Sequence, residues 1–174
     1  MPATVKGGVE LRKALRKFAP DLGKELPKEI AVALKPIVKA AKGYLPDNAQ
    51  VLSGWLARPN SQGTFPTYDA KLARSGIGYK TTPSKPNRKG FRSLARVFNK
   101  TAAGAIYETM GRKTLDSRFV VNQTSKYGSS MKGTDKMEGR VLFRAYEENH
   151  GKASEAVLKA IKTAGDKLKA KAKV

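Results

Sequence analysis

The sequence predicts an α+β fold: a long bent N-terminal helix, a small antiparallel sheet with extended loops, and a long C-terminal helix. Three observations lead there. Apolar residues recur at steps of three and four near both ends of the chain. β-Branched and aromatic residues gather between 77 and 99. Glycine and proline punctuate the stretches between, and these residues mark turns rather than element interiors.

The N-terminal stripe runs Leu11, Ala14, Leu15, Phe18, Leu22, Leu26, Ile30, Ala33, Leu34, Ile37, Val38 and Ala41. That spacing places the set on one helix face, so a helix is expected over 9–43. Pro20, Pro27 and Pro36 interrupt it, and a proline in a helix interior costs about 3 kcal/mol. The apolar phase survives all three and the prolines lie off the stripe. The helix is therefore expected to bend or break at these points with its apolar side kept inward. Gly43 is a candidate C-cap, and Pro46 blocks continuation.

Residues 46–68 read as loop around one apolar piece, Val51-Leu52-Ser53-Gly54-Trp55-Leu56. Strands are expected at 77–82 and 91–99, joined by a long basic tip containing Pro83, Pro86, Asn87 and Gly90. A short helix follows from about 102 to 110, ending at Gly111. Residues 112–138 are polar and rich in Ser, Gly and Lys, which reads as an extended arm with a candidate strand at 118–122. The C-terminal stripe, Leu142, Ala145, Tyr146, Ala153, Ala156, Val157, Ala160, Ile161, Ala164 and Leu168, predicts a helix over 140–171. Gly151 and Gly165 within it suggest a bend or a close helix approach. At 174 residues the chain is expected to be one domain, 1–174, with strands and short helix at 70–111. Apolar faces this long must be covered by another element or another chain, which points to assembly rather than to a catalytic pocket.

Lys and Arg total 35 against 14 Asp and Glu, a formal charge of +21. Such an imbalance favours an anionic partner. At cellular salt the Debye length is about 8 Å, so scattered charges act almost independently, and the total does not by itself make a DNA-binding protein. With no cysteine, disulfides, thiolate nucleophiles and cysteine-based metal sites are excluded. Residues 1–8 do not read as a signal peptide. No apolar run approaches the roughly 20 residues that span a bilayer, so no membrane partner is expected.

Catalytic chemistry is sparse. His150 is the only histidine, which removes His/His metal sites. Glu147 and Glu148 are sequence neighbours and point about 100° apart on a helix, so they are not an acid/base pair. Glu108 stands without a second carboxylate or histidine nearby in sequence. The glycines at Gly76 and Gly78 lack the rest of a dinucleotide fingerprint, and 128–134 lacks the order of a phosphate-binding loop. We expect no enzyme and no cofactor. The candidate contact for an anionic partner is the basic hairpin: Lys80, Lys85, Arg88, Lys89, Arg92, Arg96 and Lys100, interleaved with Tyr79, Phe91 and Phe98. Strand alternation puts Phe91 and Arg92 on opposite faces, so the aromatics are expected inside and the cations on one outer face.

Four short segments, in order, carry a resemblance. They are Ala41-Lys42-Gly43-Tyr44-Leu45-Pro46, then Leu52-Ser53-Gly54-Trp55, then Ala105-Ile106-Tyr107-Glu108-Thr109-Met110-Gly111, then Val141-Leu142-Phe143-Arg144-Ala145. Together they resemble the tail-component family of tailed bacteriophages, small neck or tail-completion proteins that join head to tail. The resemblance implies an α+β virion subunit forming a ring, six-fold by expectation, at the head–tail junction or upper tail. It implies partners among sister copies, the connector or stopper, the tail terminator and the tail tube, with DNA passing through. It also implies synthesis in the host cytoplasm and location in the virion. The structural residues it singles out are Pro46, Trp55, Tyr107, Glu108, Gly111, Phe143 and Ala145, with Tyr107 packing inward and Gly111 ending a helix. The alternatives are a tail terminator ring and a basic nucleic-acid-binding protein.

Overall fold

The structure is a computed structural model and describes residues 7–57, 66–109, 118 and 139–172. Among these, the fold is α+β, with helices at both ends and a small antiparallel ribbon. The elements are α1 (Gly8–Phe18), α2 (Pro20–Gly43), α3 (Ala70–Gly76), β1 (Ile77–Lys80), β2 (Arg96–Asn99), α4 (Ala102–Thr109) and α5 (Leu142–Ala172). Short 3-10 turns occupy Asn48–Gln50 and Ser53–Trp55. By its contacts the chain divides into two compact units, each drawing on separate stretches of sequence. The first comprises Met1–Pro36, Tyr79–Val97 and Asn149–Val174; the second comprises Ile37–Gly78 and Phe98–Glu148.

The first unit is built on α1, α2 and the C-terminal part of α5. The N-terminal helix is broken rather than bent: Ala19 leaves helical geometry at φ −147°, ψ 72°. Pro20 then opens α2, where its missing N–H would have had no helical partner anyway. Pro27 and Pro36 stay inside α2. Gly23 sits where α2 folds close to α1; a Cβ there would lie 3.3 Å from the Arg16 Cα and N atoms. The core of this unit is Leu15, Ala19, Leu22, Leu26 and Ile30 against Ala160 and Ala164, with Val157, Ile161 and Leu168 packed around them. Alanines on α5 leave room for the leucines facing them. Each buried Leu or Ile contributes about 1.5–3 kcal/mol.

The apolar faces were expected to be covered by another element or another chain; within this core Leu15, Leu22, Leu26 and Ile30 of the first stripe pack on Ala160 and Ala164 of the second. Two other expectations are corrected. In α1 the predicted Leu15 is buried and Leu11 packs on the core, but Arg12 and Ala19 join the buried face, whereas Phe18 is 70% exposed, with the Lys17 ammonium 5.2 Å from its ring centroid. Finally, Ala156 is exposed, and nothing lies within 4 Å of a Cβ built at Gly151 or Gly165, so neither glycine serves a close helix approach.

The strands are shorter than expected. Residues 81–95 are not ladder strand, because Pro83 and Pro86 carry no N–H to pair. The loop is nevertheless ordered by its own hydrogen bonds. The Ser84 N–H donates to Ser93 O at 2.9 Å and the Asn87 N–H to Phe91 O at 2.9 Å. The Asn87 side-chain oxygen accepts from the Lys89 and Phe91 N–H groups, both at 2.9 Å. Leu94 and Ala95 anchor the returning arm on the core of the first unit.

In the second unit, Ile37, Ala41, Leu45, Val51, Trp55, Tyr68, Ala73, Ile77, Tyr107, Val141 and Ala145 are buried. Gly43 is the last residue of α2 and does not take the left-handed cap conformation. Its role falls to Arg74, which donates from Nη2 to Leu45 O at 2.9 Å and from Nε to Lys42 O at 3.4 Å while pairing with Asp47 at 2.7 Å. Asp69 caps α3, accepting from the Leu72 N–H at 2.6 Å. The polar arm at 112–138 lies outside the described residues except for Arg118, which is helical and exposed rather than the start of a strand. Gly111 also lies outside them.

Candidate functional site

The second unit gathers the residues that the resemblance singled out. Trp55 and Tyr68 pack with ring centroids 5.0 Å apart, and Tyr68 and Tyr107 follow at 6.5 Å. Trp55 Nε1 donates to Pro66 O at 2.9 Å. The Tyr68 hydroxyl donates to Pro46 O at 2.7 Å, and burial pushes its phenol well above the usual tyrosine range. Pro46 is itself buried. Arg140 is buried with its guanidinium 5.7 Å from the Tyr107 centroid. Burial pulls the Arg140 pKa down, and Tyr107 partly restores it.

Glu108 is the centre of this arrangement. It is 7% exposed. Its Oε2 accepts from the Val141 N–H at 2.6 Å and the Leu142 N–H at 2.9 Å, and its Oε1 accepts from the Phe143 N–H at 3.1 Å. These are donors at the first turn of α5, which lack partners within a helix. A carboxylate placed there also meets the positive end of the helix dipole. Glu108 therefore acts as an N-cap supplied from another helix, α4. Gly139 makes room for it: a Cβ at this position would lie 2.2 Å from Glu108 Oε1 and 2.8 Å from Phe143 Cδ2. Ala145 is fully buried beneath the cap, and Phe143 is left 40% exposed.

A second cluster joins the end of α2 to the start of α5. The Tyr44 hydroxyl donates to Glu148, Arg144 Nε pairs with Glu148 at 3.0 Å, and the Arg144 guanidinium lies 4.1 Å from the Tyr44 centroid. The hydrogen bond to Glu148, and then burial, raise the Tyr44 pKa.

The basic hairpin divides between the units. Lys80, Lys85, Arg88, Lys89, Arg92 and Arg96 lie in the first, all exposed. Lys100 lies in the second, its ammonium 5.2 Å from the Phe98 centroid. Among the described residues no carboxylate pairs with Lys85, Arg88, Lys89, Arg92 or Arg96. The expected inside-out sorting fails at the tip, where Phe91 is 48% exposed beside exposed Arg92. Both sit on loop rather than strand, so period-two alternation does not apply.

The chain matches no protein-family model, no curated protein and no solved structure.

Function is therefore read from the residues. Among the described residues there is no group of three or more His, Cys, Asp or Glu placed to hold a metal. No described helix is long and apolar enough to cross a membrane. The one buried carboxylate noted by the sequence reading, Glu108, is saturated by backbone donors. Two buried cations, Arg12 and Arg140, had no place in the expectations from sequence. Arg12 lies in phase with Leu15, Ala19 and Leu22, a signal hidden by its charge. The capping role of Glu108 had an indirect signal: α5 opens after Gly139-Arg140-Val141, which contains none of the usual N-cap side chains, so its cap had to come from elsewhere.

Proposed function

We propose that this chain is a structural virion protein of a tailed bacteriophage, a ring subunit at the head–tail junction or upper tail that completes the tail or joins it to the head connector. One observation carries the reading. The described residues of the four segments that bear the family resemblance are far apart in sequence, yet they pack as one unit. Tyr44 meets Arg144 and Glu148, Pro46 holds the Tyr68 hydroxyl, Trp55 and Tyr107 flank Tyr68, and Glu108 caps the helix begun by Val141-Leu142-Phe143. Their polar groups satisfy one another instead of facing a substrate. This suits a scaffold held rigid for assembly and not an enzyme.

In this reading the hairpin, with an ordered tip and exposed cations, docks an acidic surface of a neighbouring neck or tail protein. DNA slides through such a passage, and tight phosphate gripping by the hairpin would oppose that. The test is assembly of the purified chain, alone and with its neck and tail neighbours, followed by native mass spectrometry and electron microscopy. Closed rings of defined stoichiometry are expected, six-fold by the resemblance. A chain that stays monomeric with every neck and tail partner refutes the proposal.

The second reading, a nucleic-acid-binding protein, is favoured by the same cations. It requires log affinity for duplex DNA to fall by about 0.9 per phosphate contact per log unit of salt. A flat salt response eliminates it.

A further inference from the structure

The elbow between α1 and α2 carries a cationic groove separate from the hairpin tip. It has a volume of about 530 Å³ and is lined by Arg12 and Arg16 from α1 and Lys24 and Lys28 from α2, around Pro20 and Gly23. No carboxylate lines it among the described residues. Each pair is four residues apart on its helix, so like charges sit side by side on one face, an arrangement that destabilises a helix unless something offsets it.

Arg12 is the decisive residue. It is only 4% exposed. It donates one hydrogen bond, from Nη1 to Thr81 O, and its buried Nε has no partner among the described residues. Burial first, and the neighbouring Arg16 charge second, pull its pKa down. A buried cation without a counter-charge is strongly unfavourable, yet the fold places Arg12 on the core-facing side of α1 and gathers three more cations around it.

We propose that this groove binds an oligophosphate, a ligand presenting two or more phosphate groups in sequence. Four cations at one place exceed what a single carboxylate can neutralise. Guanidinium forks match phosphate oxygens in bidentate geometry. The volume lies within the roughly 300–1,000 Å³ of ligand sites and exceeds what one bare phosphate fills. Gly23 and Pro20 keep bulky side chains out of the floor. The phosphates can come from a nucleic-acid backbone or from a free polyphosphate; the chemistry is the same. The inference does not depend on the neck assignment, since it follows from the elbow alone.

The experiment is isothermal titration of the full chain with tripolyphosphate at ionic strength matched by chloride, repeated with Arg16→Gln/Lys28→Gln and with Lys159→Gln/Lys162→Gln, two exposed α5 lysines outside the groove. Arg16 and Lys28 are exposed, so the first double variant keeps its fold, which circular dichroism verifies. Saturable binding is expected. It should weaken roughly tenfold or more in the elbow variant, from the loss of charge-assisted contacts, and stay unchanged in the α5 variant, which loses the same charge elsewhere. Competition by a short DNA duplex would assign the source to nucleic acid, and its failure to compete would assign it to free polyphosphate. Absence of binding above chloride, undiminished binding in the elbow variant, or displacement by oligoglutamate at equal concentration would overturn the proposal.

Discussion

Replacing Glu108 by alanine tests the organisation of the second unit most sharply. The carboxylate receives three backbone N–H groups at 2.6, 2.9 and 3.1 Å. Hydrogen bonds to a charged group are worth about 1.5–3 kcal/mol each, but the three share one carboxylate and do not add fully. Favourable placement at a partly buried helix terminus contributes up to about 2 kcal/mol. Truncation also leaves the donors without their acceptor. A total loss of about 3–5 kcal/mol follows. With a urea m-value of about 2 kcal/mol/M, the midpoint falls by roughly 2 M. Glu108→Gln keeps one acceptor oxygen and should lose about half as much. Two readouts are needed because the units need not unfold together: urea denaturation followed by far-ultraviolet circular dichroism, and amide exchange at Val141, Leu142 and Phe143. Faster exchange at these amides in the alanine variant is expected. A midpoint within about 0.25 M of the parent, with unchanged exchange, would refute the capping role.

Gly139→Ala should destabilise the same joint by about 1–3 kcal/mol through overpacking, since the new methyl would lie 2.2 Å from Glu108 Oε1; thermal denaturation measures it. Tyr68 supplies a pH test. Its folded pKa is raised by burial, so the unfolded state releases the proton first. Stability is then full below about pH 10 and falls above it by up to about 1.4 kcal/mol per pH unit. Tyr68→Phe should lose about 1 kcal/mol at neutral pH and show a shallower alkaline decline, read from urea midpoints between pH 8 and 11. In the first unit, Ile30→Ala should cost about 2–5 kcal/mol, because Ile30 is fully buried against the core.

Much of the fold was legible in the sequence because long helices repeat their signal. From Leu22 onward the predicted stripe and the buried face coincide at Leu26, Ile30, Ala33, Ile37 and Ala41. In α1 Leu15 and Leu11 face the core as expected, but the edges of the stripe do not. Eleven residues give few periods to fix a register, and the break at Ala19 resets it, so Phe18 looked like core while Arg12 took the position. The hairpin existed where expected, but composition overstated its strands: Phe91 to Ala95 favour extension, while the prolines opposite them withhold the donors. The inward role of Tyr107 was anticipated. The partner of Glu108 was not, because no local pattern shows that a carboxylate will cap a helix beginning 34 residues later. The mutual burial of the two stripes was equally out of reach, since amphipathicity says that a face is covered and not by what.

The proposed neck role is tested most directly by cryo-electron microscopy of a tailed particle purified from cells that express this chain. Ring density between portal and tail tube that accommodates α5 and the Glu108 cap is the expected result. A complete neck and tail in which every density is accounted for by other chains would contradict it.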